Sequence, residues 1–150
     1  MRYETLCQSI ARANALSQEA RQMFAGEGLN DAGRQDIDRA IQDAEAVSGF
    51  RFSVFIGASE GDTRGFANQL HSALAAPDES VLIMVDPSAR IVEVVTGQDA
   101  RRALTDDEAG LAVLAMQSDF AFVGLASGII RGLHQLAEQA RRPPLLHDQP

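Results

Sequence analysis

The stretch from residue 51 to residue 97 constrains the fold more than any other, because its hydrophobic period changes several times. Residues 51–57 form a short apolar run, and residues 63–74 carry apolar side chains at helical spacing. Two runs rich in β-branched side chains follow at 80–85 and 91–96, with a short loop between them. The pattern predicts strand, helix, strand, turn and strand.

The connections between these runs predict how the strands pair. A helical crossover joins the first strand to the second, so these two should lie parallel. The short loop between the second and third strands favours an antiparallel hairpin. We therefore expect an α/β fold with a small mixed β-sheet.

Further helices are predicted before this stretch. Residues 1–25 carry apolar side chains at gaps of three and four, which gives one helical stripe. A second helix should begin with Asn30 or Asp31 as its cap and end at Gly49. We divide the chain into an N-terminal helical extension, an α/β domain and a flexible tail, at residues 1–28, 29–141 and 142–150.

Two helices are predicted after the sheet. Thr105 and Glu108 have the spacing of a capping box, which predicts a helix over 106–117. A second helix is expected over 123–141, and the polar residues 117–119 favour a turn between the two. The second helix has glycines at every fourth position, which predicts a smooth face for close packing: Gly124, Gly128 and Gly132.

Charge and cysteine content disfavour several classes of protein. The net charge of −8 argues against binding to nucleic acid or to anionic membranes. Cys7 is the single cysteine, so the chain has no internal disulfide. The first residues lack the apolar run of a secretory signal, and we expect a cytoplasmic location. Residues 109–130 are otherwise uncharged but contain Asp119. A charge at the centre of a bilayer costs about 2.5–3.5 kcal/mol. We therefore expect two buried helices here and no membrane insertion.

One motif is typical of serine hydrolases. Residues 57–61, GASEG, match G-x-S-x-G between a strand and a helix, which is the position of a nucleophile elbow. Ser59, then Asp86 or Asp119, then His134 have the required order along the chain. However, the chain is small for that fold, and the predicted helix begins several residues beyond the serine. The sequence favours a plain loop.

The acidic residues indicate a second possible chemistry. If the first two strands are parallel, Asp62 and Asp86 emerge at the same edge of the sheet, where two carboxylates could hold Ca²⁺ or Mg²⁺. Asp62 also fits a helix cap and Asp86 the start of a turn. Arg64 and Arg90, near the same edge, would either pair with these carboxylates or contact a phosphate. No phosphate-binding loop or dinucleotide fingerprint is present, so apart from such a cation we expect no cofactor.

Several segments of the chain resemble those of a known protein family. The most specific is the strand at 90–97, RIVEVVTG, and the others keep the same order along the chain, at residues 41–54, 62–64, 81–85, 120 and 128–133. Over roughly residues 29–140 the chain resembles TPM-type domains, in particular a small uncharacterised actinobacterial branch of that superfamily. The resemblance implies a three-layer α/β/α sandwich around a mixed sheet.

The resemblance also bears on function. TPM relatives have been linked to acid phosphatase activity, to divalent metal binding and to assembly or repair of membrane complexes. This chain departs from them at residues 123–124, Val-Gly, where relatives usually have Gly-Asp, and at Ser59, which relatives of this branch do not generally keep.

We interpret the chain as a non-catalytic binding or scaffolding module with an unidentified protein partner, and a homo-oligomer is compatible with this interpretation. The first alternative is a metal-dependent phosphatase that uses Asp62 and Asp86, with Arg64 or Arg90 on the phosphate. The second is a serine hydrolase that uses Ser59.

Overall fold

A computed structural model describes residues 29–141. The predictions for the N-terminal extension and for the tail lie outside these residues. Residues 29–141 form three strands and five α-helices, and a 3₁₀ turn, Pro77–Glu79, precedes the second strand. In chain order the elements are α1 Asp31–Ser48, β1 Arg51–Ile56, α2 Thr63–Ser72, β2 Ser80–Asp86, β3 Ile91–Thr96, α3 Ala100–Ala103, α4 Asp106–Phe122 and α5 Leu125–Ala140.

The sheet has the predicted mixed topology, in the order β1-β2-β3. Strand β1 runs parallel to β2, with Arg51 opposite Ser80 at the start of the ladder. Strand β3 runs antiparallel to β2, with Asp86 opposite Ile91 beside the hairpin. The prediction from connection lengths is therefore confirmed.

Helices cover both faces of the sheet, as the α/β/α expectation requires. On one face α2 packs Ala67 and Leu70 against side chains that include Leu82 and Met84. On the other face α1, α4 and α5 share a larger core with the alternate residues of the strands, such as Ile83. Strand β2 lies in the middle and is buried along its whole length, which explains its continuous apolar run.

The predicted helix ends are confirmed where polar caps or glycine define them. Asn30 Oδ1 accepts from the Gly33 N–H at 2.7 Å and begins α1. Gly49 ends that helix with φ 82°, a conformation that glycine adopts without strain. Thr105 and Glu108 form the reciprocal capping box that begins α4.

The prediction of a turn at residues 117–119 is wrong. Helix α4 continues through these residues to Phe122, and the chain reverses at Val123 and Gly124, where Gly124 has φ 150°. The polar Asp119 is tolerated within the helix because its carboxylate lies 3.6 Å from the Arg131 guanidinium on α5. Gly124 therefore caps α5 and does not lie within it.

The other two glycines of α5 let it approach α4 closely. A methyl group at Gly128 would overlap the ring of Phe120, and one at Gly132 would overlap the side chain of Met116. This part of the glycine prediction is confirmed.

Within residues 29–141, no helix combines the length and the apolar character that are needed to cross a membrane.

Candidate functional site

The carboxyl ends of β1 and β2 form the edge where the sequence placed its candidate chemistry. Ligands of open α/β sheets generally bind at such edges, because the loops that follow the strands converge there. In this chain the loop after β1 carries Ser59 and Asp62, and β2 ends at Asp86. The parallel pairing of β1 and β2 brings Ser59 next to Asp86.

Asp86 is the centre of a closed hydrogen-bond network. Its Oδ2 accepts from the N–H of Ser59 at 2.8 Å and from the Ser59 hydroxyl at 2.7 Å. Its Oδ1 accepts from the Ser88 hydroxyl at 2.7 Å and from the Ala89 N–H at 3.2 Å. The residue is only 3% exposed. Both carboxylate oxygens are thus occupied by donors from the protein itself.

The same contacts determine the charge state of Asp86. Burial by itself raises the pKa of a carboxyl group, because it disfavours the charged form. Here the hydrogen bonds from Ser59, Ser88 and Ala89 outweigh burial and hold the pKa of Asp86 below its usual value. Asp86 is therefore an ionised carboxylate that ties two loops together.

Asp62 and Arg64 also have partners within the fold. Asp62 caps α2, and its Oδ2 accepts from the Gly65 N–H at 2.8 Å. The Arg64 guanidinium lies 3.1 Å from Glu93 Oε1 and donates to the backbone carbonyl of Val94 at 2.9 Å. Arg64 therefore binds strand β3.

Arg90 lies in the β2–β3 hairpin. It has φ 58°, and its N–H donates to the Pro87 carbonyl at 3.3 Å. This bond closes the turn that Asp86 begins.

The geometry around Ser59 differs from that of a nucleophile elbow. The Ser59 hydroxyl donates to the Asp86 carboxylate, and helix α2 begins only at Thr63. His71 bonds through Nε2 to the carbonyl of Ser80, at the opposite end of β2 and about 20 Å from Asp86. His134 is exposed on α5.

The metal hypothesis stays a prediction. Within residues 29–141, no group of three or more His, Cys, Asp or Glu side chains is placed to hold an ion. Asp62 is the more accessible of the two proposed ligands, because it is exposed whereas Asp86 is buried.

A groove between α1 and β1 was not anticipated from the sequence. It has a volume of about 160 Å³, and its lining combines five apolar residues with one residue of each charge. Its lining residues are Leu29, Arg34, Ile37, Asp38, Ile41, Val54 and Ile56. Ile41 is only half-buried, because α1 packs mainly on α5 and leaves the β1 side partly open.

The groove runs beside a free sheet edge. The N–H of Gly57 bonds to Val85 of β2, so by alternation the N–H and C=O groups of Phe52 and Val54 face outward. Glu45 accepts from the Phe52 N–H at 3.0 Å. Among residues 29–141, no group pairs with the outward N–H and C=O of Val54.

The opposite edge of the sheet is covered in part. Arg64 donates to the Val94 carbonyl, and Arg101 donates to the Thr96 carbonyl at 3.0 Å. These side-chain bonds cover two of the carbonyl groups that an incoming strand would use.

A family model described as a domain of unknown function, DUF5130, matches residues 7–137. The chain belongs to this family. It is 29% identical over 101 residues to two uncharacterized proteins of Mycobacterium tuberculosis, MT2543 of strain CDC 1551 and Rv2468c of strain H37Rv. The match covers 67% of this chain and 60% of each relative, so the chain spans less than two thirds of their length.

Two solved structures share the fold of this DUF5130 chain. The BA42 protein of Bizionia argentinensis superimposes with a TM-score of 0.66 at 19% identity, over 74% of this chain and 80% of that protein. The N-terminal domain of a P. gingivalis protein gives 0.63 at 17% identity, over 74% and 75% of the two chains. At these identities the similarity establishes the fold alone.

Helix α4 of the DUF5130 chain carries a second surface that sequence analysis assigned to the core. Four large apolar residues along and just beyond it are more than half exposed, and we call them the α4 stripe: Leu111, Leu114, Phe122 and Val123. The sequence of α4 is apolar on all sides, a pattern typical of buried helices. Here α5 and the sheet cover only one side of it.

Proposed function

We propose that this DUF5130 chain is a non-catalytic binding or scaffolding domain of the TPM type, which captures an extended segment of a protein partner along β1. The observation that carries this proposal is the outward backbone of Val54, which is unpaired among residues 29–141, beside the groove between α1 and β1. A cytoplasmic location, expected from the sequence, is part of the same proposal.

The backbone of β1 supplies the first half of the binding mode. An extended peptide can add to an unpaired strand through main-chain hydrogen bonds, and pockets for its alternate side chains then give specificity. The outward N–H and C=O of Val54 are available for such bonds among residues 29–141.

The groove supplies the second half. Val54 and Ile56 project from β1 to the same face of the sheet as Ile37 of α1, so alternate side chains of an added strand would lie over the groove. The volume of about 160 Å³ is below the range of about 300–1,000 Å³ that is usual for drug-sized ligands. It suits a side chain of a peptide better than a whole cofactor.

Selection of peptides by the full-length chain tests this proposal. A phage-displayed library of short peptides would be panned on the immobilised protein, and the affinity of selected peptides measured by fluorescence polarisation. Val54→Pro removes the outward N–H without touching the ladder to β2, so we expect it to weaken binding about tenfold, as for one lost hydrogen bond. Ile41→Lys should also weaken binding, because it replaces an apolar lining residue of the groove with a charged one.

Two controls make the result specific. Val54→Ala keeps the N–H and should bind better than Val54→Pro, and Gln69→Lys, exposed on α2 across the sheet, should bind as the unmodified chain does. Failure to select any peptide, or equal affinity for Val54→Pro and the unmodified chain, would count against the proposal.

The metal-dependent phosphatase remains the alternative, and it has a separate test. Protein stripped with EDTA would be heated with and without Ca²⁺, Mg²⁺ or Mn²⁺, because an ion that binds only the folded state raises the unfolding midpoint. A rise that Asp62→Asn abolishes, together with hydrolysis of p-nitrophenyl phosphate, would favour the alternative. No rise with any ion would remove its metal-dependent form.

A further inference from the structure

The outward edge of β1 is not uniform, because Glu45 of α1 occupies part of it. Glu45 is half-buried, and its Oε2 accepts from the outward N–H of Phe52 at 3.0 Å. This bond takes the place that a carbonyl of an incoming strand would need. The outward groups of Val54 and Ile56 follow along the strand by alternation, and none of them pairs with a group among residues 29–141.

This position makes Glu45 a stop for an added strand. Residues of a peptide can pair with Val54 and Ile56, but a residue that reaches Phe52 meets the Glu45 carboxylate instead of a free N–H. Without a stop, a bound strand can shift by two residues and still keep the same side chains on the same face. A stop at one end removes these shifts and fixes the register.

Charges on α1 follow the same edge in a fixed order. Only two residues join α1 to β1, so the helix runs back along the strand. Glu45 lies beside Phe52 at the start of the strand, whereas Arg34 lines the groove together with Ile56 at its end. The rise of the helix separates these two charges by about 16 Å, which is the length of about five residues of extended strand.

Both charges are available to a bound peptide. Oε1 of Glu45 has no hydrogen bond with residues 29–141, and the exposed Arg34 has no ion pair with them. Asp38, which also lines the groove, disfavours an acidic side chain between the two charges, while Ile41 offers apolar contact. Charge complementarity therefore favours a basic side chain beside Glu45, an apolar one over the groove and an acidic one beside Arg34.

We propose that the segment captured along β1 spans about five residues and carries opposite charges four residues apart, with an apolar residue midway. The basic side chain pairs with Glu45, which ends the added ladder, and the acidic side chain pairs with Arg34. The even spacing keeps all three side chains on the face of the sheet that α1 covers, since alternate residues of a strand share a face. This inference rests on the proposed function, to which it adds the chemical class of the partner and the register of binding.

Selection of peptides on a charge-reversed protein tests the charge pattern. A phage-displayed library of short random peptides would be panned in parallel on the unmodified full-length chain, on Arg34→Glu and on Arg39→Glu. Arg39 is the matched control, because it is exposed on the same helix but does not line the groove. The unmodified chain and Arg39→Glu should enrich the proposed pattern, whereas Arg34→Glu should enrich peptides that have a basic residue in place of the acidic one.

Substitutions of Glu45 test the stop, with affinity measured by fluorescence polarisation. Glu45→Gln keeps an acceptor for the Phe52 N–H but removes the charge, so it should weaken the selected peptides about threefold. Glu45→Ala frees the Phe52 N–H for one more main-chain hydrogen bond. For a selected peptide whose basic residue is replaced by glutamine, Glu45→Ala should therefore bind about fivefold more tightly than Glu45→Gln.

The outcomes separate this inference from the proposed function. If Val54→Pro weakens binding but Arg34→Glu selects the same charge pattern as the unmodified chain, this inference is overturned and capture along β1 is not. Equal affinity of Glu45→Ala and Glu45→Gln for the glutamine-containing peptide would overturn the stop. If no peptide is selected, or if Val54→Pro binds as tightly as the unmodified chain, the proposed function fails and this inference fails with it.

Discussion

Replacing Asp86 should reveal how strongly one carboxylate holds the two loops at the carboxyl edge of the sheet. Asp86→Ala removes the acceptor of the Ser59 and Ala89 N–H groups and of two serine hydroxyls. A donor left unpaired away from water costs about 1–3 kcal/mol; the two donors of the half-buried Ser59 carry this cost, whereas those of the exposed Ser88 and Ala89 can turn to water. We expect the free energy of unfolding to fall by about 3 kcal/mol.

Asp86→Asn removes the negative charge of the side chain but nearly keeps its shape, so it tests the two contributions separately. The amide oxygen can still accept two of the four bonds, but the amide nitrogen would face donors, so we expect a loss of about 2 kcal/mol at neutral pH. Asp99→Ala is the matched control, because Asp99 is exposed and makes no cap hydrogen bond. Its effect should stay within about 0.5 kcal/mol.

The pH dependence gives the experiment a second readout. The folded-state pKa of Asp86 lies below its usual value, so the carboxylate stabilises the fold fully above the unfolded-state pKa of about 3.9. This stabilisation is lost as the pH falls through the lower, folded-state value. The unmodified chain and Asp86→Asn should therefore differ in their free energy of unfolding by a constant amount from about pH 5 to pH 7. Below about pH 4 this difference should become smaller.

Urea unfolding followed by circular dichroism at several pH values measures both effects. The reasoning would be refuted if Asp86→Asn matched the unmodified chain at neutral pH, because the network would then contribute nothing. A difference that stayed constant down to pH 3 would refute the role assigned to the charge.

Four further substitutions test packing and capping by the same urea assay. Gly97→Ala should destabilise the fold by about 3 kcal/mol, because the added methyl would overlap the backbone carbonyl of Pro77, and an unchanged midpoint would contradict this. Gly128→Ala should also destabilise the fold, whereas Gly110→Ala, on the open surface of α4, should stabilise it by up to about 1 kcal/mol. If both variants changed the free energy of unfolding in the same direction, the packing argument would be refuted. Thr105→Ala should lower the free energy of unfolding by about 1 kcal/mol, because it removes the capping box. Thr105→Ser keeps the hydroxyl and is the control, which should restore the lost stability.

Some features of the fold could be predicted from the sequence because their causes are local. The capping box at Thr105 depends on residues three positions apart, and the positive φ at Gly49 depends on one residue. The mixed sheet follows from connection lengths, since a helical crossover and a short loop leave few ways to pair three strands. The prediction of a turn at residues 117–119 was wrong because the polar Asp119 resembled the end of a helix. Its partner, Arg131, lies on another helix, which the local sequence does not reveal.

The candidate site depended on contacts that sequence patterns do not specify. Asp62 and Asp86 were assigned to the correct edge of the sheet, but the bonds that occupy Asp86 come from Ser59, 27 residues earlier, and from the hairpin that follows. No local signal distinguishes a carboxylate that awaits an ion from one that is already saturated by donors.

The sequence by itself determined the strands, the helix caps and the mixed sheet of this DUF5130 domain, but not the position of the turn between α4 and α5. Only the tertiary structure decided that Asp86 is a structural anchor, that β1 has an open edge beside a groove, and that the apolar α4 keeps one side exposed. The physical reason is the range of the interactions: caps and periodicity act over one or two turns of chain, whereas burial and hydrogen-bond saturation depend on which distant elements lie against each other.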